Sequence, residues 1–220
     1  MIKFVFGVSL SLFTLWVQAQ DIPSIYVTLY HDYYASPESL EKLICSKSLF
    51  PEIVKRPVNN YALSLTNNDT VPALCTIDSF MLGDFIFRGE FKAEVGDNSN
   101  GFGIVFGLRD SSHYYYLRLS YEPNNDLLFQ MLLFNGNVKK ELTKGIMERT
   151  GESGWDRIAV QRDIVSTETK FYINYMEVPV ETIKDRIFIL GSVGYIVEPT
   201  VNLKVDNVKI WGPTSLKEIE

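Results

Sequence analysis

The chain has 220 residues, 46% of them hydrophobic, with 14 Phe, 12 Tyr, a formal net charge of -6 and an isoelectric point near 5.1. That length suits one domain of the larger all-β kind, and the aromatic residues can furnish a sizeable core. An acidic chain without a Lys/Arg cluster is not a general nucleic-acid binder, which would carry a basic patch or stripe.

Residues 1–19 read as a secretory signal. Met1-Ile2-Lys3 is a short positive start, the run to Val17 is almost entirely apolar or small, and Val17-Gln18-Ala19 leads to a cleavage point before Gln20. The run is short for a span, which takes ~20 residues; an uncleaved anchor is the alternative. No Cys follows it to take a lipid, and no second stretch is long enough, so no membrane span is expected after cleavage. The expected product is secreted, periplasmic or held at the cell surface. Cys45 and Cys75 are the two cysteines. In an oxidising compartment they invite a disulfide; two buried free thiols are the alternative.

Residues 24–30 are rich in strand formers. Ser36-Pro37-Glu38 then has the order of a helix start, and Leu40, Leu43 and Ile44 predict about two turns. Pro51 and Pro57 break any regular run in 46–60. Strands are predicted at 61–66 and 72–77, separated by the turn 67–70, where Asn68-Asp69-Thr70 matches a glycosylation sequon.

The stretch 83–120 organises the rest. Phe85, Phe87, Gly89, Phe91, Ala93 and Val95 alternate with Ile86, Arg88, Glu90, Lys92 and Glu94, which predicts a long strand with one buried face. After the turn 96–100, Phe102, Ile104, Phe106 and Leu108 share a face. After the turn 109–112, Tyr115, Leu117 and Leu119 do so again. Together the three runs predict an antiparallel meander with one buried and one wet side.

A nearly continuous apolar strand over 126–134 leads to Asn135-Gly136, a strong hairpin signal, and the chain returns over 138–142. A loop is expected at 145–154, carrying Glu148, Arg149 and Glu152. Residues 155–162, with Ile158 and Val160 inward, pair with 170–175, where Phe171 and Ile173 share a face. The strand region 186–197 is interrupted by Gly191 and Gly194. In 201–211, Val201, Leu203 and Val205 hold one parity while Val208 and Ile210 hold the other, which predicts a bulge near Asp206-Asn207. Trp155 and Trp211 are expected in the core, and the polar tail 213–220 is expected to fray. The predicted fold class is all-β: a two-layer antiparallel β-sandwich over 20–212 with one short N-terminal helix.

The order of motifs resembles the concanavalin A-like lectin/glucanase jelly roll across nearly the whole mature chain. Tyr30-His31-Asp32-Tyr33-Tyr34 resembles the Asp- and aromatic-rich opening of these domains. Gly83-Asp84-Phe85, Glu90-Phe91 and Gly101-Phe102-Gly103-Ile104-Val105-Phe106 resemble their centre. Gly154-Trp155-Asp156-Arg157-Ile158, Phe171-Tyr172-Ile173-Asn174, Gly191-Ser192-Val193-Gly194 and Val205-Asp206-Asn207-Val208 resemble their end. The similar branches are secreted laminin-G-like and 3-keto-disaccharide hydrolase-like domains. Two departures stand out: Tyr175 occupies the place of a hairpin Gly, and Gly107 stands where a basic residue closes the central motif.

The resemblance implies a non-catalytic module binding carbohydrate or an extracellular protein, with a glycoside-processing hydrolase as the alternative. The candidate ligand site is the wet face of the meander: Tyr114, Tyr116 and Arg118 beside the low floor of Gly101, Gly103, Val105 and Gly107, with Arg88 and Glu90 flanking. Rings stack on apolar sugar faces while charged groups hold hydroxyls; a solvated face with charges paired across strands is the alternative. Glu90 and Glu94 are the candidate hydrolytic acids. Their offset of ~13 Å along a strand exceeds the ~5–9.5 Å such pairs span, and Lys92 lies between them. No cofactor is required. The resemblance implies a structural calcium at Asp206, against a hydrogen-bonded bulge residue. His31 and His113 fit no metal or triad spacing.

Overall fold

Period-two alternation is realised through most of the chain in the computed structural model, which describes residues 26–56, 60–77, 81–95, 100–148, 154–174, 176–177 and 187–213. The expected signal at 1–19, the turn 96–99, Arg149, Glu152, Tyr175 and the tail beyond Pro213 lie outside the described residues. In chain order the elements are β1 (Tyr26–Asp32), α1 (Glu38–Glu41), β2 (Leu43–Cys45), β3 (Leu49–Lys55), β4 (Tyr61–Asn67), β5 (Ala73–Ile77), β6 (Phe85–Val95) and β7 (Phe102–Asp110). They continue with β8 (His113–Tyr121), β9 (Leu127–Asn135), β10 (Val138–Met147), β11 (Asp156–Asp163), β12 (Glu168–Ile173), β13 (Met176–Glu177), β14 (Ser192–Val197) and β15 (Val201–Pro213).

Two antiparallel sheets stack face to face. The first runs β13-β12-β11-β6-β15-β4-β3, with β1 also on β15; the second runs β10-β9-β8-β7-β14-β5-β2. Phe85, Phe87 and Phe91 of the first sheet meet Phe102, Phe106 and Tyr195 of the second, all fully buried. Burying each such ring contributes roughly 1.5–3 kcal/mol. Phe85 packs edge-on to Phe106 at 5.8 Å, and Phe87 and Phe91 pack on Tyr195 at 6.3 and 6.2 Å.

The central stretch departs from a single meander. Strand β6 pairs with β11 and β15 in one sheet, whereas β7 lies in the middle of the other, and the meander is β7-β8-β9-β10. Alternation identifies which side of a strand is buried, but the inward faces of two opposed sheets carry the same pattern. A polar turn can therefore close a hairpin or cross between layers.

Other elements follow or amend the expectations for local reasons. Helix α1 is one turn instead of two, because Leu43 and Ile44 enter β2, where Cys45 lies opposite Cys75 of β5 and is bonded to it. Pro51 does not prevent β3, which lies at a sheet edge where its missing N–H costs no ladder bond. Gly136 sits at φ 61° in the β9–β10 turn, as the Asn-Gly signal requires. Residues 145–147 continue β10 instead of starting a loop. Only the part from Ser192 of the 186–197 region is a named strand. Gly194 is obligatory there, since a Cβ would lie 2.1 Å from the Cys75 carbonyl oxygen. The register of β15 against β6 shifts between Asp206 and Lys209, with Asn207 at φ 50°, so the expected bulge is present. Both Val205 and Val208 remain buried across it.

Candidate functional site

On the outer face of the first sheet, register builds a polar surface residue by residue. Strand β6 sends Arg88, Glu90, Lys92 and Glu94 outward because its phenylalanines point in. Pairing sets Asp206, Lys204 and Asn202 of β15 beside Glu90, Lys92 and Glu94 respectively. Ser64 of β4 lies next to Lys204, Glu52 of β3 next to Ser64, and Arg157 of β11 next to Glu90.

Arg56, just past β3, joins these ranks. Its Nη1 donates to Asp206 Oδ2 and, at 3.4 Å, to Glu90 Oε2, and its guanidinium lies 3.9 Å from the Trp155 ring centre. Arg157 Nε donates to the other Glu90 oxygen at 3.1 Å. Lys204 Nζ donates to Glu94 at 2.6 Å, and Ser64 Oγ to Asn202 Oδ1 at 3.0 Å. Above these groups opens a groove of about 290 Å³, lined among others by Glu52, Ser64, Lys92, Trp155, Asn202 and Lys204. That volume is near the lower end for small-ligand clefts.

Burial pushes the Asp206 carboxyl above its ordinary value; the Asn207 N–H and Arg56 oppose the shift, and Glu90 adds to it. Calcium takes six to eight oxygen ligands, and the groups around Asp206 do not fit it. Two carboxylates converge there, but the Arg56 guanidinium lies against both and supplies the positive charge. Among the described residues no group of three or more His, Cys, Asp or Glu gathers into a metal-binding set.

The outer face of the second sheet carries the other half of the expected site. Tyr116 is 3% exposed, packed among Val105, Leu108, Leu132 and Ile196. Burial pushes its phenol well above the usual range, and Glu198, which accepts from its hydroxyl at 3.4 Å, pushes it further. Arg118 forks onto Glu198, with Nε at 2.6 Å and Nη2 at 2.8 Å, while Nη1 donates to Gln130 at 2.9 Å and Ser120 at 3.2 Å. Tyr114 stacks on Phe134 at 4.6 Å. Low floor residues are a packing need here: a Cβ on Gly103 would lie 1.9 Å from the Leu117 carbonyl oxygen.

The single trough expected from one meander is thus divided. Arg88 and Glu90 are on one outer face, Tyr114, Tyr116 and Arg118 on the other, and the core lies between. Glu94 is ion-paired to Lys204, and the two histidines lie on strands of different sheets. Trp155 and Trp211 are half-buried on the outside of the first sheet instead of in the core; the Arg88 guanidinium lies 5.5 Å from the Trp211 ring. Parity carried the signal. Ile158 and Val160 point inward, so Trp155 points out, and Trp211 follows the inward Ile210.

No protein-family model matches this chain, and no curated protein matches it in sequence. Solved structures do match in shape. The carbohydrate-binding module CBM66 from Bacillus subtilis superposes with a TM-score of 0.58 at 11% identity, over 78% of this chain and 96% of that one. A legume lectin-like domain from Entamoeba histolytica gives 0.55 at 11%, over 81% and 93%. The GH43 protein BlXynB from Bacillus licheniformis gives 0.58 at 13%, over 86% of this chain but 39% of its own length. What this chain shares with these structures is the two-layer antiparallel β-sandwich fold.

Proposed function

We propose that this protein is a non-catalytic carbohydrate-binding module acting outside the cell, with its site in the groove on the first sheet. The lining carries the reading. Trp155 offers an aromatic surface for the apolar side of a sugar ring, and Ser64, Asn202 and Lys92 offer hydrogen bonds to hydroxyls within the same small cleft. A fold shared with a carbohydrate-binding module and a lectin-like domain supports this by analogy alone.

The pairing of Glu90 with two arginines and of Glu94 with Lys204 supports the absence of catalysis. Glycoside cleavage needs one carboxyl ready to donate a proton and a second free to act on the sugar or on water. The Cys45–Cys75 bond supports an oxidising compartment, in agreement with the export signal expected at 1–19.

The test is calorimetric titration of the mature chain against a panel of oligosaccharides. Trp155→Ala is expected to weaken binding at least about tenfold, as loss of a buried aromatic anchor does, and Tyr114→Ala to leave it unchanged. The reverse pattern would move the ligand to the second sheet, and binding to no saccharide would end the proposal.

A further inference from the structure

We infer that the groove takes a saccharide carrying a negative group, a carboxylate or a sulfate, and that Lys92 receives it; this rests on the carbohydrate-binding reading above. Lys92 and Lys204 stand directly opposite each other on β6 and β15. Like charges at that separation, ~5 Å between Cβ atoms, repel. Lys204 is compensated by Glu94, and Arg56 by Asp206 and Glu90, while the exposed Lys55, which also lines the groove, makes no ion pair among the described residues. Lys92 has no ion-pair partner among the described residues. The groove's own carboxylate, Glu52, is three strands away from β6, which at ~4.8 Å per strand is ~14 Å. No ion pair joins Glu52 to Lys92 among the described residues, and attraction across that backbone separation is weakened by a screening length of ~8 Å at physiological salt.

The floor therefore holds a positive charge although the chain as a whole is acidic. A Cβ built on Gly154 would lie 3.8 Å from Lys92 Nζ, so the ammonium lies beneath the turn that presents Trp155. Charge and ring thus line the same small cleft, where one sugar residue can meet both. A bound anion relieves the Lys92–Lys204 repulsion, whereas a neutral sugar leaves it.

The experiment uses matched pairs that differ in charge: oligogalacturonate and its methyl ester, sialyllactose and lactose, a chondroitin sulfate tetrasaccharide and its desulfated form. In at least one pair the charged member is expected to bind about 10- to 100-fold more tightly, the worth of one charge-assisted contact. That advantage shrinks between about 0.01 and 0.15 M salt. Lys92→Gln abolishes it, so that the charged and the neutral member of the pair bind that variant equally, and Lys92→Arg keeps it. Equal binding of both members in every pair overturns this inference and leaves the carbohydrate reading intact. Binding to no member overturns both. Equal binding of poly-glutamate would reduce the groove to an unselective charged patch and likewise overturn the inference.

Discussion

Two carboxylates show how surroundings set opposite pH responses. Asp110, in the turn between β7 and β8, accepts from the Ser112 N–H at 2.8 Å and meets His113 Nδ1 and Ser112 Oγ at the same distance. These bonds, the backbone one foremost, hold its carboxyl down to about 2. Its contribution to stability is complete above the unfolded value near ~3.9 and is lost as pH falls through about 2. Asp206 runs the other way. Burial raises its folded value, so the native state binds a proton that the unfolded chain releases, and stability declines as pH rises between the two values. An NMR titration of side-chain carboxyl carbons is expected to place Asp110 near 2 and Asp206 above the ordinary aspartate range; an Asp110 midpoint at an ordinary value would contradict the turn geometry. At the same scale, Trp155 was expected in the core although strand parity, with Ile158 and Val160 inward, points it outward. Its stacking on Arg56 was not legible, because Arg56 arrives from a strand about a hundred residues earlier in the chain.

Among the elements, β15 was the most legible. Its change of apolar parity at 205–208 has one economical solution, an extra residue, and Asn207 takes that place in the left-handed region. Asparagine tolerates this conformation and β-branched residues do not. Asn207→Val is therefore expected to cost about 1–2 kcal/mol, read as a lower urea midpoint with unchanged slope, while Asn207→Gly is close to neutral. If both variants unfold at the wild-type midpoint, Asn207 does not hold the left-handed position. Strand β3 was illegible for a complementary reason. Pro51 argues against a strand only where both edges are paired, and edge position is a property of the assembled sheet. The crossing between β6 and β7 was hidden in the same way, since opposed inner faces bear one pattern.

For the whole molecule, the disulfide ties β2 to β5 at the rim of the second sheet, across a separation of 30 residues. The chain-entropy estimate for a loop of that size is about 3–4 kcal/mol. A Cys45→Ala/Cys75→Ala variant is expected to lose about that much in equilibrium urea unfolding, and an unchanged midpoint would show that the bond does not constrain the unfolded chain. The ends of the described chain meet as well: Tyr26 lies opposite Pro213 across β1 and β15. The layer that carries the groove thus pairs the first strand of the described residues with the last.

Residue order alone was enough for the all-β class, the inward phenylalanines, the Asn-Gly hairpin and the bulge, because each depends on neighbours within one strand or turn. Which strands share a sheet, and so which outward side chains meet, depends on pairings between distant segments that alternation does not encode. For that reason the residues expected around one trough lie on two faces, and Trp155, Lys92, Ser64 and Asn202 come together only in the folded sandwich.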